Sequence, residues 1–151
     1  MWAIMSSPRL VPFEAHHLRG LLNRDSSYQD SEAQARIKAT FGIAWTALHE
    51  ERILGCAGIV LQWPGMASAW MVVSEDIGRY AVWLTRTVKR FLRDAIRAYK
   101  LHRIEAVVIV GNVRNQRWIE RLGFTSEGGC ARRYTPDGQD VIRYEWIGGQ
   151  A

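Results

Sequence analysis

Residues 103–124 read RIEAVVIVGNVRNQRWIERLGF, and this stretch carries the reading of the fold. Arg103 to Val110 is a short apolar run rich in β-branched residues, which predicts a strand. Asn112 follows it, a residue type favoured at a helix N-cap because its side chain accepts from amides of the first turn. Val113, Trp118, Ile119 and Leu122 then supply the apolar contacts of a short helix over Asn112 to Leu122. Gly123 stands where a left-handed residue would end that helix, directly before Phe124.

Upstream, Ile77, Ala81, Leu84, Val88, Phe91, Leu92, Ala95 and Tyr99 recur at steps of three and four, which predicts a helix over Ile77 to Lys100 with one apolar stripe. Arg79, Arg86, Arg90, Arg93, Arg97 and Lys100 fall on its opposite side. Before it lie three predicted strands, Ile43 to Leu48, Ile53 to Trp63 and Ala67 to Val73, separated by the turns His49-Glu50-Glu51-Arg52 and Pro64-Gly65. The N-terminal part reads as a strand over Pro8 to Pro12, a helix over Glu14 to Leu22 and a second helix opened by Ser31 and running to Phe41. After Phe124, two strands are expected around the tight turn Thr135-Pro136-Asp137-Gly138, the second over Asp140 to Ile147. The order is β-α-α-β-β-β-α-β-α-β-β, an α+β class with a mixed sheet, read as one domain over 1–151.

The 151 residues, 48% hydrophobic and 23% charged, exclude wholesale disorder and low-complexity structure. Two cysteines, Cys56 and Cys130, cannot build a disulfide framework and lack zinc spacing; both are expected to be buried thiols in a reducing compartment. Ser6, Ser7, Pro8 and Arg9 interrupt any signal-like apolar stretch, and no run approaches the roughly 20 apolar residues of a membrane span. The expectation is a cytoplasmic protein with no membrane contact. The adjacent His16 and His17 would point apart on a helix and have no carboxylate or Cys at helical spacing, so no metal site is expected.

The element order, the run Arg103 to Val108, Asn112 eleven residues before Gly123, and Ile119-Glu120-Arg121-Leu122-Gly123-Phe124 together resemble the GNAT superfamily of N-acetyltransferases. The likeness extends over Ile43 to Ile147 in element order. It implies a mostly antiparallel, splayed central sheet flanked by helices, and transfer of an acetyl group from acetyl-CoA to an amine acceptor. It also implies that the strands before and after the long helix part, freeing backbone groups for the pantetheine arm, with the positive end of the helix at the pyrophosphate. Carried onto this chain, the cofactor-binding residues are Val72, Val73, Ser74, Gly78, Arg79 and Asn112. Arg117 to Phe124, with Glu127-Gly128 and Pro136-Asp137-Gly138, further resembles a bacteriophage and prophage subgroup, some members of which are virion components rather than enzymes. A catalytically degenerate, virion-associated or partner-binding protein is the alternative function.

Two positions depart from the family pattern. The pyrophosphate loop, usually Arg/Gln-x-x-Gly-x-Gly/Ala, here reads Ser74-Glu75-Asp76-Ile77-Gly78-Arg79-Tyr80-Ala81, with one glycine and two acids that oppose an anion and Arg79 to offset them. The Tyr that many members place four residues before the closing glycine, as general acid, is Ile119 here. Glu75 and Asp76 read either as a general base for the amine or as carboxylates complementing the helix dipole. Tyr134 and Tyr144 read either as the replacement acid or as cross-strand packing. Glu75 and Tyr134 are the catalytic candidates. Asn112 reads as a cofactor contact or as a helix cap.

Trp45, Trp63, Trp70, Trp83 and Trp118 lie in apolar segments and read as packing, with Trp63 to Met66 an exposed loop for a substrate mouth or a partner. Of the +5 net charge, residues 77 to 103 carry eight cations against one acid, or +7, leaving −2 elsewhere. That concentration suits an acidic or nucleic-acid partner on the outer helix face. Exposed aromatic loops and edge strands also suit a homodimer.

Overall fold

The computed structural model describes residues 6–21 and 32–149. Seven strands form one sheet in the order β1-β2-β3-β4-β5-β7-β6. They are β1 (Arg9–Pro12), β2 (Gly42–His49), β3 (Arg52–Trp63), β4 (Met66–Val73), β5 (Arg103–Ile109), β6 (Thr125–Ser126) and β7 (Val141–Ile147). Every pairing is antiparallel except β4 with β5. That pair is parallel because helix α2 (Ala81–Tyr99) carries the chain back to the same end of the sheet, as any parallel connection requires. The mixed, mostly antiparallel sheet agrees with the expected class.

Strand alternation sorts side chains into two layers. Ala67, Ala69, Met71 and Val73 of β4 join Leu84, Val88, Leu92 and Ala95 of α2 and Ile119 of α3 (Val113–Arg121) in the main core. Trp70 and Val72 face the other layer, where Phe13, Leu18, Leu21, Ala35 and Cys56 form a second cluster. That cluster is supplied by a 3-10 turn (Ala15–Gly20) and helix α1 (Glu32–Phe41).

Several expectations are corrected. The long helix opens with a separate 3-10 turn, Ile77–Tyr80, before α2 proper, and it ends at Lys100 with φ +51°. Its stripe is buried in the middle, but Ala81 and Tyr99, its first and last residues, are exposed. The first predicted helix is the 3-10 turn; the Ser31 cap and Leu22 lie outside the described residues. The last hairpin is mostly irregular: β6 is two residues long and the chain returns to β7 through a single bridge, Ala131 to Val141. Left-handed φ at Gly128, Gly129 and Arg133 prevents the extended run a strand would need. Cys130 is exposed and Cys56 alone is buried, burial pushing its thiol up to about 11 against a smaller lowering by the Thr46 hydrogen bond. Trp63 is 61% exposed, so it packs no core.

Candidate active site

β4 and β5 are paired only over Met66 to Ser68 with Arg103 to Glu105. Beyond Ser68 the two strands keep their outer partners, β3 and β7, but lose each other. A cleft of about 690 Å³ opens in the gap, lined on one side by Ala69 to Glu75 and on the other by Glu105, Val107, Val108 and Ile109. The edge of β4 that faces the gap has no ladder partner among the described residues from Ala69 onward, so its amides and carbonyls are free to bind an extended ligand.

The predicted residues sort clearly. Val72, Val73, Ser74, Glu75, Asn112 and Tyr134 all line this one cleft, brought there by β4, by the start of α3 and by the loop before β7. Asn112 also caps α3, its side-chain oxygen accepting from the Asn115 amide at 3.1 Å. Gly78 stands beside the cleft in the 3-10 turn, but Arg79 is exposed and outside its lining. Asp76 is engaged structurally: its carboxylate pairs with Arg52 and accepts from the Ser74 hydroxyl at 2.8 Å. The like charge expected to oppose an anion is thereby reduced to Glu75. Tyr134, 53% exposed, is among the residues that line the cleft, whereas Tyr144 is 2% exposed, is absent from the lining, and has its hydroxyl 3.5 Å from Glu120 Oε1. Burial, then the Glu120 charge, raises its phenol. Ile119 is buried in the core, and Trp118 donates its indole N–H to Thr85 at 3.0 Å.

Several lining residues escaped the sequence reading, Lys38, Arg114 and Arg143 among them. Lys38 and Trp70 meet on the β4 side, the ammonium 5.0 Å from the ring centroid; a Lys three residues before the end of a helix gives no hint of that in sequence. Arg143 and Glu105 belong to a network on the β5 side, where Arg103 bonds Glu105, Glu127 and Glu145 and Arg143 lies 3.6 Å from Glu105. Hydrogen bonds from Arg103 to Glu145 and Glu105 raise its already high pKa further, so it is a cation at every accessible pH. The alternation Arg103-x-Glu105 in β5 and Arg143-x-Glu145 in β7 was the available signal.

The histidines also differ from expectation. The rings of His16 and His17 lie 4.5 Å apart edge to face, and Glu14 brings a carboxylate oxygen to 4.0 and 3.6 Å from their Nε2 atoms. In a 3-10 turn residues three apart eclipse, which sets the His17 ring beside the Glu14 carboxylate. His17 Nδ1 accepts from the Glu14 amide at 3.1 Å and lies 2.7 Å from Thr46 Oγ1, so the trio closes the turn against the sheet.

A parallel strand pair that parts after three residue pairs, with a helix crossing between its members, is the architecture of the GNAT N-acetyltransferases, and the chain has that fold. It superimposes on the ribosomal-protein-S18-alanine N-acetyltransferase of Escherichia coli with TM-score 0.75 at 18% identity, covering 96% of each chain. The ribosomal-protein-S5-alanine acetyltransferase of Vibrio fischeri gives 0.74 at 17%, covering 95% of this chain and 94% of that one. A spermidine N-acetyltransferase chimera from Vibrio cholerae gives 0.70 at 17%, covering 94% and 96%. No family model and no curated protein sequence matches the chain, so the likeness is one of structure. No described helix is long and apolar enough to cross a membrane.

Proposed function

We propose that the chain is an N-acetyltransferase that takes an acetyl group from acetyl-CoA and gives it to an amine. The observation that carries this reading is the loss of β4–β5 pairing beyond Ser68, which leaves a strand edge and an elongated cleft in one place. The bound thioester supplies an activated acyl group. The free edge of β4 from Ala69 to Val73 would hold the pantetheine arm by backbone hydrogen bonds, with Val72, Val73 and Ser74 nearest the thioester. Glu75, exposed at the end of that strand, would take the proton of the incoming ammonium, and Tyr134 would protonate the departing thiolate. Aligning amine and thioester in the cleft supplies much of the rate.

Isothermal titration with acetyl-CoA tests the reading: saturable binding is expected, and no binding at millimolar ligand overturns it. With an acceptor in hand, Tyr134→Phe should lower turnover about 100-fold while leaving acetyl-CoA affinity unchanged.

The degenerate alternative draws on Ile119 and on the sequestered Tyr144, which leave Tyr134 as the only tyrosine lining the cleft among the described residues. None of the neighbours named above is a phage protein, and an intracellular, cytoplasmic setting suits an acetyl-CoA enzyme with free thiols. A second surface suits an acidic or nucleic-acid partner: Lys89, Arg93, Arg97 and Arg121 border a groove of about 350 Å³ floored by Leu92, Phe124 and Trp146. Reversing Arg93, Arg97 and Arg121 to Glu should abolish any salt-sensitive association there. Self-association would use the exposed sheet edge at β1 or the Trp63 loop.

A further inference from the structure

We infer that Arg114, from the first turn of α3, is the cation that holds the phosphates of a CoA thioester, at the place where it reaches the turn containing Gly78. The inference rests on the acetyltransferase reading and assigns the anion contact that the single-glycine loop leaves open.

Gly78 has no left-handed φ, so backbone conformation does not require a glycine there. A Cβ at Gly78 would stand 2.5 Å from Arg114 Nη2, with Cζ at 3.6 Å and Nη1 at 3.9 Å. One end of the Arg114 guanidinium, Nη2, therefore reaches the bare backbone of the turn that follows β4, at the end of the cleft it also lines, and a Cβ at Gly78 would displace this flexible side chain from there. No carboxylate pairs with Arg114 among the described residues, whereas the nearby Asp76 is occupied by Arg52 and Ser74. An unpaired guanidinium at the end of a cleft beside a bare backbone is suited to a phosphate, which it can meet through two parallel N–H donors. Multi-glycine loops bring backbone amides to the pyrophosphate; here a side chain from the opposite wall would take that part.

The test is calorimetric titration of CoA, dephospho-CoA and pantetheine into the wild type, Arg114→Ala, Arg114→Lys and Gly78→Ala. Arg114 is exposed, so its replacement does not threaten folding. Arg114→Ala should weaken CoA about 10- to 100-fold and leave pantetheine unchanged, with Arg114→Lys intermediate. Dephospho-CoA, lacking the 3′-phosphate, should keep the Arg114 dependence if the pyrophosphate is held and lose it if the 3′-phosphate is; either result supports the assignment. Gly78→Ala should weaken CoA in the wild type but add nothing in the Arg114→Ala background. A wild type that binds no CoA overturns this inference together with the acetyltransferase reading. CoA binding that is indifferent to Arg114, or an equal loss for CoA and pantetheine, overturns the inference alone.

Discussion

On the β4 side of the cleft, the residues from Ala69 to Val73 are apolar and the exposed chemistry is bare backbone. On the β5 side, by contrast, Glu105 and Arg143 front a cluster that also contains Arg103, Glu127 and Glu145. The two strands pair for three residues and then part, so the difference is not one of position in the sheet. It lies in what supports each strand from behind. β4 rests through Trp70 and Val72 on the second apolar cluster, while the outward side chains of β5 and β7 are held to one another by charge. A wall that must offer its backbone to a ligand can be apolar; the facing wall, without that task, is fixed by ion pairs.

The largest effect should follow from breaking the support of β4. Trp70 meets Phe13 edge to face at 5.1 Å and carries Lys38 over its ring, so Trp70→Ala empties the joint between strand and N-terminal layer. We expect a loss of about 3 kcal/mol in urea unfolding, at the lower end for a large aromatic because the ring is only partly buried. A loss below about 1 kcal/mol would show that β4 stands without that layer. Trp70→Phe should cost much less, since the indole N–H is buried without a partner and its removal relieves an unsatisfied donor.

Breaking the facing wall should cost less. Arg103→Ala leaves Glu105, Glu127 and Glu145 mutually repelling on a face where each is only 23–31% exposed. A destabilisation of about 1–2 kcal/mol is expected near neutral pH, discounted for the solvent that still reaches the cluster. Because the deficit is like-charge repulsion, it should shrink as salt is raised toward about 1 M. A deficit independent of salt would point to lost packing of the Arg103 stem instead.

The contrast between the walls also explains what could be read beforehand. The strands and the helix after Asn112 were legible because alternation and helical spacing are local, and the turn at Gly123 has φ +101° as its position implied. The cleft's β4 side was legible for the same reason: Val72 to Glu75 follow one another in sequence. Lys38, Arg114 and Arg143 reach the same cavity from three other elements, and no local pattern records such a meeting. Asp76 shows the converse error, since its neighbours in sequence suggested a free carboxylate and its partner Arg52 lies on another strand. The histidine cluster was missed because Glu14, three residues before His17, already stands at helical spacing and supplies the carboxylate.

The smallest effect concerns how tightly the layer behind β4 is sealed. Cys56 lies in that layer, opposite Val72 in the β3–β4 ladder, fully buried and with Sγ 3.4 Å from Thr46 Oγ1, while Cys130 is exposed in the irregular segment before β7. At pH 8 a thiol reagent should therefore label one cysteine per native chain and two after denaturation, and peptide mapping should place the native label on Cys130. Because burial raises the Cys56 thiol to about 11 from an ordinary value of 9.0, its neutral form stabilises the fold fully below pH 9. That contribution fades as pH rises toward 11, so labelling of Cys56 should rise only over that interval. Rapid labelling of Cys56 at pH 8 would mean that the layer opens locally, and the apolar support of β4 would then be weaker than the ionic support of β5.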